Sequence, residues 1–407
     1  MNININTETN RLNAVIVHTP GNEVSLVNPA TKDELLFDDI IYEADARKEH
    51  LGMLEIFKTA MPDRKGVLEI TDLLAECLKN GDARKFLVRQ LVDYHPELNL
   101  RAVQKDLERL DSVSLLEFVI SGTTSAIPDF ILNPSPNLLF TRDLAAVIPN
   151  GIIISRTAKK ARLRESLMLE TLVKYHPLFA SVKDNAIYIG LEDSVEGGDI
   201  LVVSPDLVMI GMSERTTFSG IMSVAEQLLN RGIKDVMVVD IAKQRSSMHL
   251  DTIFTFCGPE ECIAYPPAIM ERKDNVVILS KHNGDLITRR MGDVQTALET
   301  VLHREFNFIK CGGEDLTNQH REQWTDGANV FALAPGIIVG YGRNSHTFDA
   351  LSKNGYTVMN QYDFIEKYRD IPFDPKFGER IAISFDGAEL CRGRGGARCM
   401  TLPISRD

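Results

Sequence analysis

Three arginines and three glycines precede a cysteine near the C-terminal end, in Arg392-Gly393-Arg394-Gly-Gly-Ala-Arg398-Cys399. Glycines let a backbone turn tightly and approach a ligand. Arginines beside a thiol favour thiolate, so Cys399 is expected to have a lowered pKa and to act as a nucleophile. A flexible basic tail has a similar composition, but Thr401-Leu-Pro-Ile404 reads as one more ordered strand. His249-Leu-Asp251, followed by Ile253-Phe254, places two ionisable groups on one face of an expected strand. A His stabilised by a carboxylate can serve as acid and then as base; a structural His–Asp pair is the alternative. Glu196-Gly-Gly-Asp199 either delivers a carboxylate on a tight backbone or is a plain turn. It lacks the context of a nucleotide loop. Asn137-Leu-Leu-Phe140-Thr-Arg-Asp143 and Ser213-Glu-Arg215-Thr are two further polar clusters.

Together, Asp143, Glu196, Asp251, His249 and Cys399 suit attack on a planar, cationic carbon. Paired carboxylates match a guanidinium through charge-assisted hydrogen bonds, and a cation held there favours the thiolate beside it. No metal site is expected, because the nine histidines form no HxH or HxxxH pair.

These residues flank apolar runs that repeat. Asp143–Ile154, Asp199–Ile210 and Asn329–Gly340 each begin with Asp or Asn, carry Pro six residues later, and resume an apolar run after one more residue. That pattern predicts a strand, a Pro-containing turn and a second strand. Helical segments are expected at 219–231, 294–303 and 347–354, with further strands at Val236–Asp240 and Thr357–Met359. The unit is ββαβ, and Asn13–Pro20 and Arg380–Asp386 read as partial copies at the two ends. Such repeats must close around a common core. Residues 68–122 break the pattern: Leu recurs at helical spacing, with stops expected at Gly81, Pro96 and Gly122 and a start at Asp111-Ser112. This predicts an inserted bundle of short helices that acts as scaffold or oligomer surface.

Composition adds exclusions. The chain has 407 residues, 44% hydrophobic and 25% charged, with 45 basic against 57 acidic side chains for a net −12. Its size alone suggests two to three domains. An acidic balance argues against a nucleic-acid groove or a basic membrane face, and no apolar stretch is long enough to span a bilayer. Six cysteines without a CxxC pair fit reduced thiols in the cytoplasm.

Five segments in order carry a family resemblance: Leu35–Asp39, Asn137–Asp143, Glu196–Asp199, Met248–Asp251 and Arg392–Thr401. With them the chain resembles the arginine deiminases, within the guanidine-modifying (pentein) superfamily. The resemblance implies one catalytic domain over 1–407: a five-bladed, pseudosymmetric α/β-propeller of ββαβ repeats with the 68–122 helical insertion. It implies hydrolysis of L-arginine to L-citrulline and ammonia in arginine catabolism, with neither metal nor cofactor. Cys399 matches the nucleophile, His249 the acid and base, and Asp143 and Asp251 the carboxylates gripping the guanidinium. Glu196 matches a further carboxylate near His249. Arg162 and Arg215 match the pair holding the substrate α-carboxylate, Asn137 and Phe140 the walls, and Gly393 and Arg394 a mobile loop. Leu144, Thr19 and Leu51 depart from common family residues in flap and entry regions. A homo-oligomer is expected, with neither nucleic acid nor membrane as partner. Two alternatives stand beside this: the same chemistry on agmatine or another guanidine, including amidino transfer, and a non-catalytic arginine-binding propeller.

Overall fold

The computed structural model describes residues 2–95, 102–127 and 132–407. In it each expected Pro lies in a chain reversal. Pro149-Asn150, Pro205-Asp206 and Pro335-Gly336 separate antiparallel strands, and Pro259-Glu260 adds a fourth case. Proline presets φ for the first position of such a turn, and Asn150 and Gly336 take the left-handed conformation that follows (φ 57° and 76°).

In chain order the strands are β1 (Leu12–Val17), β2 (Val67–Glu69), β3 (Ala145–Ile148), β4 (Gly151–Ile154), β5 (Ala186–Tyr188) and β6 (Ile200–Ser204). Then come β7 (Leu207–Met212), β8 (Asp235–Asp240), β9 (Phe254–Gly258), β10 (Glu261–Ala264), β11 (Val276–His282) and β12 (Asp285–Met291). The last are β13 (Asn307–Lys310), β14 (Phe331–Ala334), β15 (Ile337–Tyr341), β16 (Thr357–Asn360), β17 (Ile381–Phe385) and β18 (Leu402–Arg406).

Among the described residues these strands form five sheets, and all five share one plan. A first strand pairs antiparallel with a second, and the second pairs parallel with a third. The triplets are β3-β4-β5, β6-β7-β8, β9-β10-β13, β14-β15-β17 and β18-β1-β2. A parallel step needs a crossover, supplied for example by helices Leu163–Tyr175, Phe218–Asn230 and Ser345–Lys353. The 219–231, 294–303 and 347–354 expectations thus fall within two residues of observed helices, the second being Val294–Leu302.

Three expectations are corrected. Arg380–Asp386 does not begin a partial copy: β17 is the third strand of the β14 unit, parallel to β15 over Ile381–Phe385. The last unit instead joins both chain ends, because β18 pairs with β1. His249–Asp251 is not extended strand; Leu250–Thr252 is a 3-10 turn, held by Leu250 N–H donating to Asp199 (2.8 Å) and Thr252 Oγ1 donating to the His249 carbonyl (2.6 Å). Gly81 does not end a helix but begins one, with Asn80 as its cap.

The Leu-rich stretch forms helices Ile70–Cys77, Gly81–Tyr94, Gln104–Arg109 and Ser112–Ser121, while Pro96 lies outside the described residues. Asp111 accepts from the backbone of Val113 and Ser114, and Gly122 ends the helix with φ 77°. Leu74, Leu87, Leu91, Leu107 and Leu115 share one apolar cluster with Leu167 and Leu172 of helix Leu163–Tyr175. The loss of water from these side chains stabilises the segment by about 1.5–3 kcal/mol for each one fully buried. Among the described residues no helix is long and apolar enough to cross a membrane.

The plan fixes where chemistry can sit. Immediately before each first strand the chain makes a short turn, and these turns carry Asp143, Asp199, Asp251, Asn329 and Cys399.

Candidate active site

His249 stands between two carboxylates. Its Nε2 lies 2.8 Å from Glu196 Oε2 and its Nδ1 3.5 Å from Asp143 Oδ1, all three side chains being buried. Burial disfavours the imidazolium, but Asp143 and the Glu196 hydrogen bond outweigh it and raise the pKa to about 9. Burial likewise works against the Glu196 carboxylate. The His249 hydrogen bond and the charges of His249, Arg215 and Arg162 prevail and hold it down at about 2. An ionised carboxylate thus faces a protonated imidazole at neutral pH, the state of a general acid.

Gly197-Gly198 is more than a turn. A Cβ on Gly198 would lie 2.7 Å from the His249 ring and 2.8 Å from Asp143, and one on Gly197 2.1 Å from the Arg142 carbonyl. The pair lets the Glu196 segment pass directly beneath the imidazole.

Cys399 is buried, with Sγ 3.8 and 3.9 Å from the two oxygens of Asp251. The expected activation by its neighbouring arginines does not prevail. Arg392 pairs with Asp39 (2.9 Å) and Glu389 (3.0 Å) at the surface. Arg394 stacks on Trp324, 3.5 Å from the ring centre. Arg398 turns away to Glu8 (3.0 Å), Asp251 (2.7 Å) and the Ile200 carbonyl (2.9 Å). Burial first, then Asp251, Asp143 and Asp326, push the thiol well above its usual value, and Arg398 offsets only part of this. In the absence of another cation, Cys399 is a thiol.

Asp251 is also held up by burial, with Arg398 opposing. Removing Arg398 would leave this carboxylate buried beside the thiol without its ion-pair partner, a loss of about 3–5 kcal/mol.

Arg162 departs from expectation. Its guanidinium lies on Asp143 (2.5 Å), Glu165 (2.8 Å) and the Asn137 carbonyl (3.1 Å), with Glu196 at 3.8 Å. It thus occupies the carboxylate assigned to a substrate cation, because three buried carboxylates require a counter-charge. Arg215 is buried 3.7 Å from Glu196. Asn137 donates to the Leu35 carbonyl (2.8 Å), and Phe140 packs so closely under the loop that a Cβ on Gly395 would lie 2.3 Å from its ring. Asn137, Phe140, Asp143, Arg162, Arg215, His249, Gly393, Arg394 and Cys399 line one cavity. Its volume is about 10 Å³, room for about one water. Admission of an amino acid therefore requires Arg162 or the 393–394 loop to move.

Asp143, Glu196 and His249 offer ligand atoms within 4.8 Å of one another, a spacing that could suit a metal ion. Arg162 and Arg215 already neutralise this group, so a divalent cation would have to displace two guanidiniums.

Several residues escape the sequence argument. Asn329, first residue of a repeat copy, accepts from Cys399 N–H (3.0 Å) and donates to the Asp251 carbonyl (2.9 Å). Its repeat position was the available signal. Glu8 and Glu165, ion-pair partners of Arg398 and Arg162, gave none, because each sits in an ordinary local context.

A sequence model described as arginine deiminase matches residues 33–406. The arginine deiminase of Listeria monocytogenes (serovar 1/2a) is 36% identical over 430 aligned positions, spanning 100% of this chain and 98% of its own. The chain belongs to the arginine deiminase family. A relative from Borreliella afzelii, also an arginine deiminase, is 33% identical with the same coverage. Among solved structures, DDAH from Pseudomonas aeruginosa complexed with citrulline is similar in fold. It has a TM-score of 0.51 and 16% identity over 96% of this chain and 99% of that one. A dimethylarginine dimethylaminohydrolase adduct with S-methyl-L-thiocitrulline gives a TM-score of 0.50 at the same identity and coverage. The mixed α/β architecture of several sheets is thus shared with those structures. Of the five segments that carry the arginine deiminase resemblance, four line the cavity through Leu36, Asn137, Met248 and Cys399, among others. The fifth supplies Glu196 behind His249.

Proposed function

We propose that this arginine deiminase family member hydrolyses L-arginine to L-citrulline and ammonia through a covalent Cys399 intermediate. The observation that carries the reading is that Cys399, Asp143 and His249 line one cavity, with Asp251 beside Cys399 (3.8 Å) and Glu196 on His249 (2.8 Å). The substrate guanidinium takes the place of the Arg162 guanidinium on Asp143 and engages Asp251. One cation replaces another, so the buried charge balance survives, and Arg162 is freed to join Arg215 on the α-carboxylate. Asn137 and Phe140 wall the amino acid end, and Gly393 and Arg394 cover it.

The bound cation lies beside Cys399 and favours its thiolate, reversing the effect of the surrounding carboxylates. The thiolate adds to the guanidinium carbon to give a tetrahedral adduct. Protonated His249 gives its proton to one nitrogen, ammonia leaves, and an S-alkylthiouronium remains on Cys399. Neutral His249 then takes one proton from water as the oxygen attacks. As the carbonyl forms, the second proton of that water passes to solvent or to the released ammonia, and the thiolate departs from citrulline.

The finer architecture belongs to the same proposal. The five three-stranded units are read as blades of a closed propeller. In support, β18 lies against β3, β3 against β6, β9 against β14, and β14 against β1. The helices between Ile70 and Ser121 are read as an insertion into one catalytic domain, in a cytoplasmic homo-oligomer.

The carboxylate-binding pair Arg162 and Arg215 separates arginine from agmatine, because a ligand without a carboxylate displaces Arg162 from Asp143 and offers neither arginine a new partner. Turnover of arginine is expected to exceed that of agmatine by about 10²-fold or more in kcat/KM. Faster release of carbamoyl product from agmatine would overturn this assignment.

A further inference from the structure

We infer that Asn329 is a positioning residue for the nucleophile, a role that rests on the proposed Cys399 chemistry. Asn329 is fully buried, in the turn before β14. It occupies the place that Asp143, Asp199 and Asp251 hold before β3, β6 and β9. Its amide makes two bonds of opposite sense. Oδ1 accepts from the backbone N–H of Cys399 (3.0 Å), and Nδ2 donates to the backbone carbonyl of Asp251 (2.9 Å). The unit between them therefore ties the nucleophile of one unit to the guanidinium grip of another.

The chemistry requires an amide at this position. An Asp could accept from Cys399 but could not, as carboxylate, donate to Asp251. It would also add a further negative charge around a thiol whose ionisation Asp251 and Asp143 already oppose. The loop is fitted to this anchor. A Cβ on Gly396 would lie 2.5 Å from the Asn329 carbonyl and 2.8 Å from its Oδ1, so the segment leading to Cys399 folds directly onto Asn329. The anchor fixes how Sγ sits above a guanidinium whose edge Asp251 holds. Displacement of about 1 Å there costs about 10²-fold in rate, while Asn137, Arg162 and Arg215, which meet the amino acid end, have their own partners and make no hydrogen bond to Asn329 among the described residues.

The test compares wild type, Asn329→Ala and Asn329→Asp for kcat, KM and iodoacetamide alkylation of Cys399. Asn329→Ala is expected to lose about 10²-fold in kcat with KM changed less than about threefold. Its thiol should alkylate at least about threefold faster, because the loop covering it is released. Asn329→Asp keeps the shape of the side chain and is expected to lose at least about tenfold in kcat; it decides the matter if the Ala variant does not fold. Wild-type kcat in both variants, or a loss carried by KM alone, overturns the role of Asn329 and leaves the deiminase reading intact. An inactive wild type overturns the deiminase reading itself, and the alkylation rates then report separately on whether Asn329 holds the loop.

Discussion

The two ends of each first strand make an instructive contrast. At one end lie Pro149-Asn150, Pro205-Asp206, Pro259-Glu260 and Pro335-Gly336, turns whose residues are mostly exposed and which carry none of the candidate site residues. At the other end the turns bury Asp143, Asp199, Asp251, Asn329 and Cys399. One backbone plan builds both, so topology alone does not make the site. The difference is the cost of burial: an ionisable group taken from water needs a partner. Some partners come from the same unit, as with Asp143 and Arg162 (2.5 Å) or Asp199 and Ser213 (2.6 Å). Others come from another unit, as with His249 and Glu196 (2.8 Å), Asp251 and Arg398 (2.7 Å), or Cys399 and Asn329 (3.0 Å).

Substitutions at the buried ends should therefore remove activity, and those at the exposed ends only stability. The largest effect outside the nucleophile is expected for His249→Gln, with kcat reduced about 10²–10⁴-fold. The wild type carries the matching pH signature. The pKa of His249 is raised to about 9, so the protonated acid is present below that value and lost as pH rises through it. The kcat of the wild type should fall above about pH 9, measured as ammonia release across pH 6–10. A limb that falls between pH 6 and 7 would mean that the carboxylates do not hold the proton on His249.

The smallest effect is expected at the opposite end. Gly336 has φ 76°, and an added Cβ would meet the Glu379 carbonyl at 2.7 Å. Gly336→Ala should lower stability by about 1–2 kcal/mol in a denaturant titration and leave kcat within about twofold. A large loss of kcat there would break the contrast between the two ends.

The same contrast explains what was legible in the sequence. Pro turns, β-branched runs and the helix cap at Asp111 act within a few residues, so the hairpins and most helices could be read directly. Leucine spacing likewise disclosed the helices between Ile70 and Ser121. The polar residues of the site could be picked out as unusual clusters beside apolar runs, but not their connections. Arg398 looked like an activator of Cys399, yet its side chain serves Glu8 and Asp251. Arg162, which the resemblance assigns to the substrate α-carboxylate, here lies on the carboxylate of Asp143. Both outcomes depend on partners more than 15 residues away in sequence, and on the demand that buried charges be balanced. The ends of the chain were misjudged for a related reason: β18 and β1 complete one sheet across 385 positions (Leu402 and Val17 being the nearest strand ends). No local pattern records such a pairing.

The most direct measurement is an acid-quenched reaction with L-arginine, read by peptide mass and by citrulline release. Wild type is expected to release citrulline and to carry, on the peptide containing Cys399, the mass of arginine less one ammonia. Cys399→Ala should show neither. Citrulline release by Cys399→Ala, or an adduct found on another residue, would contradict the assignment of Cys399 as the nucleophile.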